Sequence, residues 1–203
     1  METNHLDTDT FDEDQSLQVI HEMIQVSRKR LKYDGVFFII WGWVNFITFF
    51  LEYLSNVVVH TYQMTLIKRD INIILPVMGV ILTVFYIYRK NRKTTTYIGR
   101  LLRYVWISLF FSLVLVNLIQ FNVLHKLVFE LQNPVFMVFF AFAIVVTGGF
   151  LKYKMIVAGG IIFALLAYIS SYLALPEQLL MESIAWLVAF IIPGHILYSQ
   201  RKS

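Results

Sequence analysis

The sequence predicts an all-α integral membrane protein, a six-transmembrane-helix bundle preceded by a cytoplasmic amphipathic helix. Of its 203 residues, 58% are hydrophobic, compared with about 45–50% in a typical soluble domain. Only 15% are charged, and these charges cluster between long apolar runs, as expected for a chain divided between lipid and water. Because backbone amides in hydrocarbon must be hydrogen-bonded within their own segment, each run is predicted to be a helix.

Six apolar segments reach the roughly 17–25 residues that are needed to cross a bilayer. They are residues 36–59, 71–88, 104–123, 134–151, 155–175 and 179–198. The fourth and fifth segments are separated only by residues 148–154, where two glycines and two lysines predict a tight turn. Together the six segments form one predicted membrane domain, residues 34–200.

The distribution of Lys and Arg predicts the orientation of these segments. With six crossings, fourteen of the seventeen cations fall on one side, and Lys68, Arg69 and Lys126 fall on the other. Membrane proteins keep most Lys and Arg of their short loops in the cytoplasm. Both termini are therefore predicted to be cytoplasmic.

Two predicted regions precede the membrane domain. Residues 1–15 are acidic and lack periodicity, so they are predicted to be a disordered tail. Residues 16–33 have the pattern of an amphipathic helix that ends in a basic cluster, Arg28, Lys29, Arg30 and Lys32. This cluster is predicted to lie against anionic lipid headgroups, although the apolar face could instead bind a cytosolic protein or a second subunit. Since membrane lipid explains the excess of cations, no nucleic-acid partner is predicted.

Polar side chains at helical spacing in the first three segments predict a polar crevice. The predicted lining is Trp41, Asn45, Thr48, Glu52, Asn72, Asn117 and Gln120. The first four follow one another at +4, +3 and +4, which places them on one helix face. An ionisable group such as Glu52 inside a membrane is by default a candidate site. Hydrogen bonding between helices would also explain these residues.

The end of the sixth segment contains a second candidate, a cytoplasmic switch. Pro193 and Gly194 predict a kink or an early end of the helix. His195 and Tyr198 share a face there, and Arg103 of the third segment is predicted to lie nearby. Because histidine titrates close to neutral pH, this group could respond to protons. Alternatively, His195 is an interfacial residue that interacts with the helix dipole.

The fifth segment carries small residues along one face, namely Gly160, Ala164, Ala167 and Ser171. Small side chains let helix backbones approach closely in a membrane. This face predicts either internal packing or the seam of a homodimer.

Two stretches of the chain resemble a group of short bacterial inner-membrane proteins with six spans and no known activity. They are MIQVSRKRLKYDGVFFIIWGWVNF at residues 23–46 and TTTYIGRLLRYVWI at residues 94–107. The Trp-Gly-Trp in the first segment and the Pro-Gly-His near the end belong to the same pattern. The resemblance implies a bacterial inner membrane and no particular chemistry.

No motif in the sequence predicts catalysis, a cofactor or a metal site. The chain has no cysteine, and its five histidines lack the close spacing of metal ligands. We therefore expect a non-enzymatic regulatory, sensor or interaction protein, whose cytoplasmic N-terminal segment binds a partner. The alternative is a small oligomeric transporter or channel for a cation or a small polar solute, with the Glu52-lined crevice as its site.

Overall fold

A computed structural model describes residues 18–19, 21–22, 35–57, 62–89 and 97–199. All regular elements in this part of the chain are helices: α1 Gly35–Val57, α2 Tyr62–Arg89, α3 Tyr97–Leu124, α4 Phe129–Leu151, α5 Lys154–Ser170, α6 Leu175–Trp186, a π-helical turn Leu187–Ile191, and α7 Ile192–Ser199. The predicted tail, residues 1–15, lies outside the described residues. So does most of the predicted amphipathic helix, including its basic cluster, although Gln18, Val19, His21 and Glu22 are helical and exposed.

Four helices are long and apolar enough to cross a membrane, judged by length and composition. They are Gly35–Val57, Gly99–Leu124, Phe129–Leu151 and the continuous helix Leu175–Ser199. The apolar part of α2, Ile74–Phe85, and α5, Lys154–Ser170, are shorter. The outer faces of α2 and α3 expose many large apolar side chains. Soluble proteins rarely expose an apolar surface of this size to water, whereas membrane helices present one to lipid. The prediction of a helical protein is confirmed for the described residues, and four helices have the character of membrane spans.

The centre of the bundle consists of α1, α4, α5 and the long helix α6–α7. Its core is aromatic: the ring centroids of Trp186 and Phe190 are 4.6 Å apart, and Phe163 meets Trp186 edge-on at 5.5 Å. Phe38 of α1 and Phe140 of α4 pack against the same pair of rings. Helix α2 packs on α1, and α3 packs on α4. These two helices therefore flank the central bundle.

Glycines set the distance between α1 and the long helix. A Cβ on Gly35 would lie 2.9 Å from the carbonyl oxygen of Gly194, and a Cβ on Gly42 would lie 2.9 Å from the Cβ of Phe190. The two helices run antiparallel, because the start of α1 meets the end of α7. Such close backbone approach is typical of small-residue contacts between membrane helices.

The boundary between the fifth and sixth segments differs from its prediction. Helix α5 ends at Ser170, whereas residues 155–175 were predicted to span the membrane, and α6 begins at Leu175 rather than at residue 179. Pro176 lies in the first turn of α6, where its missing N–H and fixed φ favour a helix start. Glu182 consequently lies two turns inside a helix instead of beside a loop.

Of the two outcomes predicted at Pro193 and Gly194, a kink or an early end of the sixth helix, the early end is not observed. The helix continues to Ser199, and a π-helical turn precedes the proline, with the N–H of Ile192 donating to the carbonyl of Leu187. A proline ring clashes with the carbonyl four residues earlier, and a wider turn of backbone relieves that clash.

The small-residue face of α5 is divided in the structure. Gly160 is buried against α4, where an added Cβ would lie 2.7 Å from Cγ2 of Val145. Ala167 is also buried, whereas Ala164 and Ser171 are exposed. Gly160 and Ala167 therefore serve internal packing. A homodimer contact through Ala164 and Ser171 stays a prediction.

Candidate functional site

The antiparallel contact between α1 and the long helix brings two carboxylates to one level of the bundle. Gly35 lies opposite Gly194, and Gly42 lies opposite Phe190. Continuing this register along α1 places Glu52 opposite Glu182, and the two side chains are close enough to interact electrostatically. The site is therefore built from residues that are 130 positions apart in the chain.

Glu182 is the most deeply buried charged residue in the described part of the chain. Its side chain is 1% exposed. Trp186, one turn later, donates from Nε1 to Oε1 at 3.4 Å, a long hydrogen bond. The second oxygen, Oε2, is buried and makes no well-formed hydrogen bond, although the side chain of Asn133 lies close enough to interact with the carboxylate.

Amide side chains surround the carboxylate. Gln178, one turn before Glu182, is 1% exposed and donates from Nε2 to the carbonyl oxygens of Glu130 and Leu173. This contact ties the start of α6 to the start of α4, and Asn133 of α4 lies beside Glu182. The oxygen Oε1 of Gln178 and the nitrogen Nδ2 of Asn133 are buried without a well-formed hydrogen bond. We call Glu52, Asn133, Gln178 and Glu182 the carboxylate site.

Such a set of buried, incompletely bonded polar atoms has an energetic cost. Each unsatisfied buried polar group costs about 1–3 kcal/mol, and an ionised carboxylate costs more. Native cores retain few of these groups, so each of them calls for a partner such as a bound water or ion. The atoms that lack a well-formed hydrogen bond at this site include two oxygens, which suit a proton or a hard cation.

Of the predicted crevice, only Glu52 belongs to the carboxylate site. Trp41 and Asn45 lie nearer the other end of α1, where Trp41 Nε1 donates to Thr83 Oγ1 at 3.2 Å and Asn45 Nδ2 donates to the Trp41 carbonyl. Thr48 Oγ1 donates to the carbonyl of Val44 in its own helix. These hydroxyl and amide groups are occupied by internal hydrogen bonds.

The remaining crevice residues do not join Glu52. Asn117 donates to the carbonyl of Leu113 in its own helix, and Gln120 is buried against α4, where its Nε2 donates to the carbonyl of Val128. The side chain of Asn72 lies outside the described residues. Because α3 packs on α4 rather than on α1, its polar residues face a different neighbour from the one we predicted.

An apolar groove of about 470 Å³ lies between α2 and α3. Its aromatic lining comes from α1, α3, α4 and the long helix: Phe37, Trp41, Trp106, Phe110, Phe140, Trp186 and Phe190. Asn45 and Thr83 contribute its few polar atoms. We call this feature the aromatic groove.

The residues of the predicted switch are at the surface. Arg103, His195 and Tyr198 are all exposed. The Nδ1 atom of His195 lies 2.8 Å from the carbonyl oxygen of Ile191, one turn earlier in the same helix. Helices α3 and α7 do not pack as a pair. Both interpretations of His195, as a proton-responsive group and as an interfacial residue, stay predictions.

Sequence reasoning missed Glu182, Gln178 and Asn133. Residues 178, 182 and 186 repeat at a spacing of four, which places Gln178, Glu182 and Trp186 on one helix face. That signal was obscured because the sixth span was predicted to start at residue 179. Glu182 already lay inside the predicted segment, residues 179–198, but recognising Pro176 as a helix start would have added Gln178 to the same helix face.

Comparison with known proteins adds no assignment, since no known family, curated protein or solved structure matches the chain. Within the residues that the structure describes, no three His, Cys, Asp or Glu side chains cluster as a metal site would require. The function must therefore be argued from the carboxylate site itself.

Proposed function

We propose that the protein is a small transporter of a proton or a monovalent cation, and that the carboxylate site is where the cation binds. The observation that carries this proposal is the buried Glu182 carboxylate, one oxygen of which lacks a well-formed hydrogen bond, with Glu52 of a neighbouring helix close enough to interact with it electrostatically. Ionisable groups inside a membrane bundle typically mark ion pathways.

The charge and chemistry of the site favour a cation. Two carboxylates in a medium of low dielectric repel each other, and a shared proton or cation removes that repulsion. Glu182 Oε2 and Gln178 Oε1 are available as oxygen ligands. An anion would meet only repulsion here. Ca²⁺ takes about 6–8 oxygen ligands, which is more than this site supplies, so we favour a single positive charge.

We further propose that all six helical segments cross a bacterial inner membrane, with both termini in the cytoplasm. The segments follow one another through short connections. Successive connections alternate between many and few Lys and Arg residues, as expected when they lie on opposite sides of the membrane. At 1.5 Å per residue, α5 would measure about 25 Å, which is a few ångströms short of a typical hydrocarbon core. Membranes accommodate such a mismatch by local thinning at modest cost.

Cysteine labelling tests this topology without background, because the chain has no cysteine. Lys126→Cys, in the exposed connection before α4, should react with an impermeant maleimide on intact cells. Thr95→Cys, between Arg89 and Arg100, should react only after the membrane is permeabilised. Labelling of Thr95→Cys from outside would contradict the proposed orientation.

Transport is tested with purified protein in liposomes, by measuring H⁺, Na⁺ and K⁺ movement with internal indicator dyes under imposed gradients. Glu182→Gln removes the charge while keeping the size of the side chain. Its flux should fall by roughly tenfold or more, because the membrane-embedded charge that binds the cation is lost. Glu177→Gln is the matched control, since Glu177 lies on the same helix but is exposed.

Two results would count against the transporter. One is wild-type flux no higher than that of protein-free liposomes for all three cations, and the other is unchanged flux in Glu182→Gln. A chain that lacks residues 1–33 separates this function from the interaction role predicted for the N-terminal segment. Flux should survive that deletion, whereas recovery of a cytosolic partner in a pull-down would be lost if that segment also binds a partner.

A further inference from the structure

The aromatic groove opens sideways. Helix α2 packs on α1 and α3 packs on α4, and within the described residues α2 and α3 form no extensive contact with each other. The groove lies in this gap, and its lining atoms are almost entirely apolar. In a bilayer, such an opening faces the acyl chains of the surrounding lipid.

Three polar groups of the groove are already hydrogen-bonded to the protein. Asn45 Nδ2 donates to the carbonyl of Trp41, Trp41 Nε1 donates to Thr83 Oγ1, and Thr83 Oγ1 donates to the carbonyl of Gly79. No acidic side chain lines the groove. A polar solute would find few free partners here, and a lipophilic cation would find no counter-charge. The walls suit a hydrocarbon chain.

Cationic side chains lie at one end of the groove. The lining residues of α3 include Trp106, Phe110 and Leu113, and counting back three residues from Trp106 reaches Arg103 on the same helix face. Arg100 lies one further turn toward the helix start. Both arginines are exposed. From Arg103 to Leu113 the helix rises about 15 Å, which is comparable to much of the length of a lipid acyl chain.

We propose that the aromatic groove binds an anionic phospholipid, with one acyl chain along the groove and the phosphate at Arg100 and Arg103. The apolar walls alone would accept a chain from any lipid, so the two arginines provide the preference for negative headgroups. Basic positions at the ends of membrane helices commonly select anionic lipids in this way. This inference does not depend on Glu182 or on transport.

Tryptophan fluorescence provides a direct test. The chain has four tryptophans, and Trp41, Trp106 and Trp186 all line the groove. Trp43 does not line it and is 42% exposed. In a Trp43→Phe variant, every remaining tryptophan therefore reports on the groove. The probe is a phosphatidylglycerol with brominated acyl chains, because bromine quenches tryptophan at short range, added to bilayers of unbrominated phosphatidylcholine.

Brominated phosphatidylglycerol should quench at a mole fraction roughly tenfold lower than brominated phosphatidylcholine does, because two arginines attract its headgroup. In the Trp43→Phe background, Arg100→Gln with Arg103→Gln should abolish this difference. The matched control, Lys152→Gln with Lys154→Gln, removes two exposed cations at the turn between α4 and α5, and it should preserve the difference. Unchanged circular dichroism and melting temperature would verify that each variant is folded.

Three results would overturn the proposal. Equal quenching by the two lipids would indicate a groove for any acyl chain. Retained selectivity without the arginines would place headgroup recognition elsewhere. The third result is a competition in which a lipophilic cation displaces the brominated lipid and restores tryptophan fluorescence, whereas excess unbrominated phosphatidylglycerol does not. That result would assign the groove to a cationic ligand.

Discussion

Replacing Gly42 with leucine is expected to destabilise the bundle by at least about 3 kcal/mol. A Cβ at this position would already lie 2.8 Å from Cγ1 of Ile191 and 2.9 Å from Cβ of Phe190, with the backbone nitrogen of Ile191 at 3.1 Å. The obstructing atoms include backbone, so a rotamer change cannot make room. Helix α1 would have to move away from the long helix, and the aromatic core behind it would open.

Gly149→Leu is the matched control, because an added Cβ at Gly149 meets nothing within 4 Å. The measurement is unfolding by sodium dodecyl sulfate in mixed micelles, followed by circular dichroism. Gly149→Leu should unfold at the wild-type detergent fraction or above it, because leucine has a higher helix propensity than glycine. Wild-type stability in Gly42→Leu would mean that the two helices are not in close contact. The register that aligns Glu52 with Glu182 would then lose its basis.

Glu182→Gln is expected to increase the free energy of unfolding by about 1–3 kcal/mol, while the proposed cation flux falls. The substitution removes the charge from a side chain that is 1% exposed. It keeps an oxygen that can accept the Trp186 Nε1 hydrogen bond, which is 3.4 Å long in the wild type. The burial cost of the carboxylate is thereby relieved without creating a cavity.

Detergent unfolding of the same purified variants measures this effect. Glu177→Gln, at an exposed position, should leave stability within about 0.5 kcal/mol of the wild type. A gain in stability combined with a loss of flux would indicate that the chain retains Glu182 for function rather than for folding. A less stable Glu182→Gln would instead make the carboxylate part of the structural hydrogen-bond network.

The two proposed sites meet at Trp186. One side of its indole lines the aromatic groove, and its Nε1 atom donates to Glu182. If both proposals hold, a lipid chain in the groove would touch the residue that positions the carboxylate. Rigid aromatic contacts could then make transport depend on anionic lipid. The flux assay and the quenching assay measure the two sites separately, so either proposal can fail alone.

Much of the helical architecture could be predicted from the sequence because it depends on local properties. A long apolar run in lipid must form a helix, because its backbone groups have no other hydrogen-bond partners. The runs predicted at residues 104–123 and 134–151 lie inside α3 and α4, and the run at residues 36–59 extends two residues beyond the end of α1. The turn at residues 148–154 could also be predicted from the sequence, because two glycines and two lysines interrupt an apolar run there. The structure there has α4 ending at Leu151 and Lys152 in a left-handed conformation, with φ of 49°.

Local signals were insufficient at Pro176 and Pro193. Proline occurs both in the first turn of helices and at interruptions within them, and the surrounding structure determines which of the two positions it occupies. Pro176 begins α6, and Pro193 follows a π-helical turn inside a continuous helix. The first of these outcomes places Gln178 in the same helix as Glu182, one turn before it.

The sequence alone determined the helical class and the membrane character of the long apolar segments. It also identified Glu52 as an ionisable group within one of these segments. The tertiary structure decided that Glu52 lies beside Glu182 rather than beside the amides of Asn117 and Gln120. The physical reason is that helix pairing depends on which surfaces allow close approach. Gly35, Gly42 and Gly194 let α1 pack against the end of the chain, and no local pattern encodes a contact between residues so far apart in sequence.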